Sequence, residues 1–120
     1  MLVRSRRSLT RMTHPASPSA LTVAAVAAMY LPATEAMRVG GDWYLVTPLD
    51  HGARIGVSVG DVVGHGLRAA VVMSELRSAV AATAMTGLEP AGVLGAVDLF
   101  AAAVEGARCA TVAFAVVDID

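Results

Sequence analysis

The segment Asp50-His51-Gly52-Ala53 separates two runs of β-forming residues, and a tight turn there dictates what faces what along both. With His51 and Gly52 at the centre of the turn, Asp50 stands opposite Ala53, and stepping outward along the two strands puts Asp42 opposite Asp61. The two carboxylates then lie on one side of an antiparallel pair, with Cβ atoms about 5 Å apart. Each acid adjoins glycine at the end of an apolar run, in Val39-Gly40-Gly41-Asp42-Trp43-Tyr44 and in Gly60-Asp61-Val62-Val63-Gly64-His65-Gly66. Like charges held that close repel. Both groups are hard oxygen donors, so a divalent cation between them is the natural resolution.

The strands on either side of the turn have different textures. Trp43 to Leu49 is rich in β-formers, with Pro48 near the turn, whereas Arg54 to Val59 alternates Ile55, Val57 and Val59 with Gly56 and Ser58, and Gly60 follows. The bulky face of the second strand is expected to belong to a core, and the bare face to admit close packing of another element on its backbone. Tyr44 and Val46 share parity with Asp42, so both acids are expected at the rim of a hydrophobic layer. After Gly66 the period becomes helical. Residues 67–85 contain no Gly or Pro and predict a helix whose apolar face carries Leu67, Val71, Met73, Leu76 and Val80, ended at Thr86-Gly87. Pro90 suits the first turn of a second helix with Val93, Val97, Phe100 and Val104 at helical spacing, stopped at Gly106. Thr111 to Val117 reads as a strand buried on both faces. An earlier apolar run, residues 21–31, predicts a strand that ends at Pro32. Strands followed by helices and a further strand predict an α+β fold.

Composition bounds the rest. At 120 residues, 56% hydrophobic and 16% charged, the chain is long enough for one domain and too apolar for a disordered protein. A formal net charge of -1 gives no overall attraction to nucleic acid. The single cysteine, Cys109, excludes an internal disulfide and, lying in an apolar run, is expected in the core. Arg4, Arg6, Arg7 and Arg11 with no acid, followed by His14-Pro15-Ala16-Ser17-Pro18-Ser19, predict a disordered basic leader over residues 1–20. The apolar run after it is too short to span a membrane, which takes about 20 residues, and no membrane or export role is assigned. The expected location is the cytoplasm.

Four stretches now carry a family resemblance: Tyr30-Leu31-Pro32-Ala33; Val39-Gly40-Gly41-Asp42-Trp43-Tyr44; Gly60-Asp61-Val62-Val63-Gly64-His65-Gly66-Leu67; and Cys109 to Asp118. In this order and spacing they resemble the metal-dependent (PPM, type 2C) protein serine/threonine phosphatases. The likeness is to the bacterial class typified by stage II sporulation protein E and the stress-response sigma-factor regulators. The resemblance implies a layered antiparallel β-sheet sandwich with flanking helices, of which residues 21–120 are a partial domain. It makes Asp42 and Asp61 metal-site carboxylates, with Asp61 bridging two Mn²⁺ or Mg²⁺ ions and the Val62 backbone carbonyl as a further ligand. It implies phosphomonoester hydrolysis by metal-activated water on a phosphorylated protein, an anti-sigma-factor antagonist. The donor types agree, since carboxylate and water oxygens suit Mg²⁺ or Mn²⁺. Gly64 and Gly66 permit the passage from strand to helix, and the helix amino terminus they open can hold a phosphate. His65 is a candidate general acid for the departing serine alkoxide, or instead orients that loop or contacts substrate. The eukaryotic branch carries its proposed acid two residues after the bridging Asp, where this chain has Val63.

The chain also departs from the pattern. Family members complete the metal site with two later aspartates, one in an Asp-Gly motif, and neither Asp118 nor Asp120 takes those roles by position. Leu45 stands where an acid is common. A partial domain exposes inner apolar surface, so the chain is expected to be marginally stable or self-associating and weak in turnover. The alternative reading is a non-catalytic remnant that binds a protein partner.

Overall fold

The computed structural model describes residues 2–5, 26–29 and 40–119. Strands β1 (Leu2–Ser5) and β2 (Val26–Met29) form an antiparallel pair. Strands β3 (Trp43–Leu49), β4 (Arg54–Asp61) and β5 (Thr111–Asp118) form an antiparallel sheet in the order β3-β4-β5. Helices α1 (Leu67–Ala84) and α2 (Pro90–Ala103) fill the connection between β4 and β5. The fold is α+β, with both helices packed on one face of the three-stranded sheet. Within the stretch expected as a basic leader, Leu2–Ser5 is a strand, and residues 6–20 lie outside the described residues. Of the expected first strand, Val26–Met29 is extended, and the Tyr30-Leu31-Pro32-Ala33 motif is outside the described residues.

The β3–β4 hairpin turns where the sequence requires. Ala53 donates its amide to Asp50 O at 3.1 Å, and His51 (φ 56°, ψ 24°) and Gly52 (φ 95°) both have positive φ, as in a type I′ turn. The ladder then runs from Leu49 opposite Arg54 to Trp43 opposite Gly60. Arg54 pairs with Asp50 across the turn, an exposed contact of small energetic weight.

The core corrects the expected facing of the strands. The bare face of β4 is the inner one: Gly56 and Ser58 are buried beneath the helices, while Ile55, Val57 and Val59 are only half-buried on the outer face. The neighbouring strands supply the missing bulk. Trp43 fills the gap at Gly60 and Phe114 the gap at Gly56, where an added Cβ would come within 2.9 Å of the ring. One cluster joins Trp43 and Val62 to Val72, Leu76 and Ala107, and a second joins Val80 to Val93 and Val97, with Leu45 and Val112 touching both.

The buried stripe of α1 is Ala69, Val72, Leu76, Val80 and Ala84; Leu67 and Val71, expected on it, are exposed. Leu76 and Val80 are buried as expected, and Ala69 and Val72 take the place of Leu67 and Val71 in the first turns. The helix ends through Thr86, whose Oγ1 donates to Thr83 O at 2.7 Å, and Gly87 at φ 80°. Pro90 opens α2 as expected, and Val93 and Val97 are its buried contacts. Strand β5 is not buried on both faces: Val112, Phe114 and Val116 are half-buried toward the helices and the alternate residues are exposed. Cys109, expected in the core, is exposed in the turn before β5. Among the described residues no helix is long and apolar enough to cross a membrane.

Candidate functional site

Asp42 lies one residue before β3, and Asp61 is the last residue of β4. The ladder pair Trp43 opposite Gly60 flanks them on one side. On the other, Val62 donates its amide to Gly41 O at 3.2 Å. Asp42 and Asp61 are therefore held opposite each other. Their side chains take the outer face, while their neighbours Trp43 and Val62 are buried toward the helices. Alternation along each strand thus gives every acid a buried anchor next to it.

The electrostatics bear out the closeness. The Asp61 carboxyl is pushed above its ordinary range, first by loss of hydration and then by the hydrogen bond and negative charge of Asp42; a backbone hydrogen bond at Val62 partly opposes this. Asp61 keeps solvent contact at the sheet rim, where the nearby Asp42 adds to the effect of lost hydration.

Gly41 shapes the backbone beside the pair. A Cβ there would fall on the Val62 carbonyl oxygen and 2.8 Å from its carbon, so that carbonyl occupies the space of an absent side chain. The two carboxylates at one sheet end are oxygen donors of the kind that Mg²⁺ or Mn²⁺ takes. Among the described residues no group of three or more His, Cys, Asp or Glu side chains gathers into a metal cluster. Asp118 is placed away from the pair: it stands opposite Arg54 at the turn end of the sheet, seven positions along β5 from Thr111, roughly 23 Å at the usual strand rise. Asp120 lies outside the described residues.

The connection after Asp61 carries the remaining candidates. Gly64 (φ 114°) and Gly66 (φ 80°) adopt backbone conformations that side chains disfavour, which lets the chain pass at once from β4 into α1. Gly66 is the N-cap of α1 and supplies no capping side chain, so the amide groups of the first turn are open to an anion. His65 is exposed, and its backbone bridges to that of Gly40, which ties the loop to the strand end that bears Asp42. The pair has one neighbour distant in sequence. Thr111 stands opposite Asp61 on the β5 side and shares its outer face. Nothing local signals this pairing, because two helices intervene between the partners.

Residues 51–120 match the family described as Stage II sporulation protein E (SpoIIE). Asp61, Val62 and the Gly64–Gly66 loop fall inside the matched part and Asp42 precedes it. The structure also resembles the crystal structure of the RsbU and RsbW domains of Rv1364c from Mycobacterium tuberculosis. The likeness has a TM-score of 0.65 and 41% sequence identity, and it covers 72% of this chain and 24% of that one. The chain thus spans about a quarter of the length of that relative.

Proposed function

Because the chain belongs to the Stage II sporulation protein E family, a PPM-type phosphatase relationship, we propose that its site serves metal-dependent hydrolysis of phosphoserine or phosphothreonine on a protein. The observation that carries this reading is the facing pair Asp42 and Asp61, each set against a buried neighbour at one end of the hairpin. Asp42, Asp61 and the Val62 carbonyl would hold Mn²⁺ or Mg²⁺. Such an ion, when bound, supplies a water of lowered pKa and positive charge for phosphoryl oxygens.

The chain's own groups have separate tasks. Asp42 and Asp61 concentrate negative charge at one point, which binds a cation and would otherwise repel a phosphate. The open amides of the first turn of α1, beside Gly64 and Gly66, offer the positive end of a helix to the phosphoryl group. Exposed His65 contacts the substrate from the same loop. In keeping with a relative that contains RsbU and RsbW domains, the substrate we propose is an anti-sigma-factor antagonist, met in the cytoplasm.

A second reading, a protein-binding module without turnover, draws on the exposed apolar residues Tyr44, Val46 and Val117 of the outer sheet face. Phosphate release from a phosphoserine peptide, measured with and without Mn²⁺, separates the two. Mn²⁺-dependent release that disappears in Asp61→Ala supports the phosphatase. No release with or without Mn²⁺ supports the binding module, and release indifferent to both Mn²⁺ and Asp61→Ala contradicts the assigned site.

A further inference from the structure

Trp43 follows Asp42 and stands opposite Gly60, the residue before Asp61. Its side chain turns to the inner face and is 5% exposed. The indole takes the room left by Gly60: a Cβ there would overlap Cη2 and Cζ2 and lie 2.6 Å from Cζ3. From Gly60 the ring runs diagonally along β4 to Ser58, where Nε1 donates to Oγ at 3.3 Å. Ser58 is 1% exposed, and this hydrogen bond satisfies an otherwise costly buried hydroxyl. Val62, Val72 and Leu76 complete the same cluster.

We propose that Trp43 is a positioning residue, which with Gly60 and Ser58 locks the one strand register that brings Asp42 and Asp61 face to face. A slip of one residue would move an acid to the opposite face of the sheet, and the half-exposed outer face of β4 gives little resistance to it. The turn that sets the register lies at the far end of the hairpin, and strand ends fray. Seating the indole requires a residue without a Cβ directly across the ladder. On either side of Gly60 stand Val59 and Asp61, and two positions away stand Ser58 and Val62. Gly56, the other glycine on the inner face, is occupied by Phe114. Only the observed pairing therefore accepts the ring, and only there does Nε1 meet a hydroxyl.

The lock is geometric, and its use in metal binding rests on the phosphatase reading. Two measurements on the whole chain keep these apart. The first is hydrogen exchange of the Val62 amide relative to the amides of central β4; the second is Mn²⁺ affinity from the free-ion electron paramagnetic resonance signal. Trp43→Leu and Gly60→Ala are expected to raise relative Val62 exchange and to weaken Mn²⁺ binding about 10–100-fold, the usual penalty for removing a group that orients metal ligands. Trp43→Phe, which keeps a ring over Gly60, is expected to restore most of both. Val93→Ala, in the second cluster, is expected to lower stability and leave both readouts unchanged. The lock is refuted if Trp43→Leu or Gly60→Ala behaves like Val93→Ala. Should Trp43→Leu not fold, Gly60→Ala and Trp43→Phe decide the matter. Should the wild-type chain bind no Mn²⁺, the metal reading fails and Val62 exchange alone decides the lock.

Discussion

Val62 gives its amide hydrogen to the Gly41 carbonyl at 3.2 Å while its own carbonyl occupies the place of a Gly41 side chain. The two strands thus stay joined past the last regular ladder pair, with Asp42 and Asp61 inside the joined part. Gly41→Ala would drive a methyl group into a backbone carbonyl that has little freedom to yield. The expected outcome is a loss of about 1–3 kcal/mol in urea unfolding, the range for overpacking a tight site, together with impaired Mn²⁺ binding.

The raised Asp61 carboxyl predicts a pH dependence of stability in the metal-free chain. Its folded-state pKa lies above the ordinary value of 3.8, so the folded state binds this proton more tightly than the unfolded state. The resulting stabilisation is complete below that ordinary value and is lost as pH rises through the folded pKa. The difference in urea midpoint between wild type and Asp61→Asn, measured in chelator across this window, should therefore shift against the wild type as pH rises. A difference that stays flat, or moves the other way, contradicts the crowded pair.

The facing of α1 predicts unequal effects of two leucines. Leu76 is 1% exposed in the core and Leu67 is 79% exposed. Leu76→Ala should cost about 2–5 kcal/mol, and Leu67→Ala should stay within about 0.5 kcal/mol. Chemical denaturation of the two variants checks the orientation of the helix directly.

The outer sheet face predicts self-association. Tyr44, Val46 and Val117 are 42%, 36% and 47% exposed on that face, and β3 and β5 are edges of the described sheet. Sedimentation of the purified chain should show species larger than the monomer, shifting to monomer when Val46→Lys and Val117→Lys are combined. Unchanged sedimentation in the double variant would place the contact elsewhere.

The hairpin was legible in the sequence because its information is local. His51-Gly52 specifies the turn, and counting outward from it reaches Asp42 and Asp61. Helix limits were legible for the same reason, through Gly66, Gly87 and Pro90. The inner face of β4 was not, because its bulk comes from Trp43 and Phe114 on neighbouring strands, which hydrophobic alternation within β4 cannot reveal. Nor was the pairing of Asp61 with Thr111, whose register depends on how two helices pack. The exposure of Cys109 is not legible because the apolar run that leads into β5 begins in a turn ahead of the sheet.

Mn²⁺ binding to the wild-type chain and to Asp42→Asn and Asp61→Asn, measured by electron paramagnetic resonance of the free ion, tests the assignment of the carboxylate pair most directly. The pair as a metal centre predicts saturable binding in the wild type and its loss in either variant while the hairpin stays folded. Absence of binding in the wild type, or binding that survives both substitutions, would contradict it.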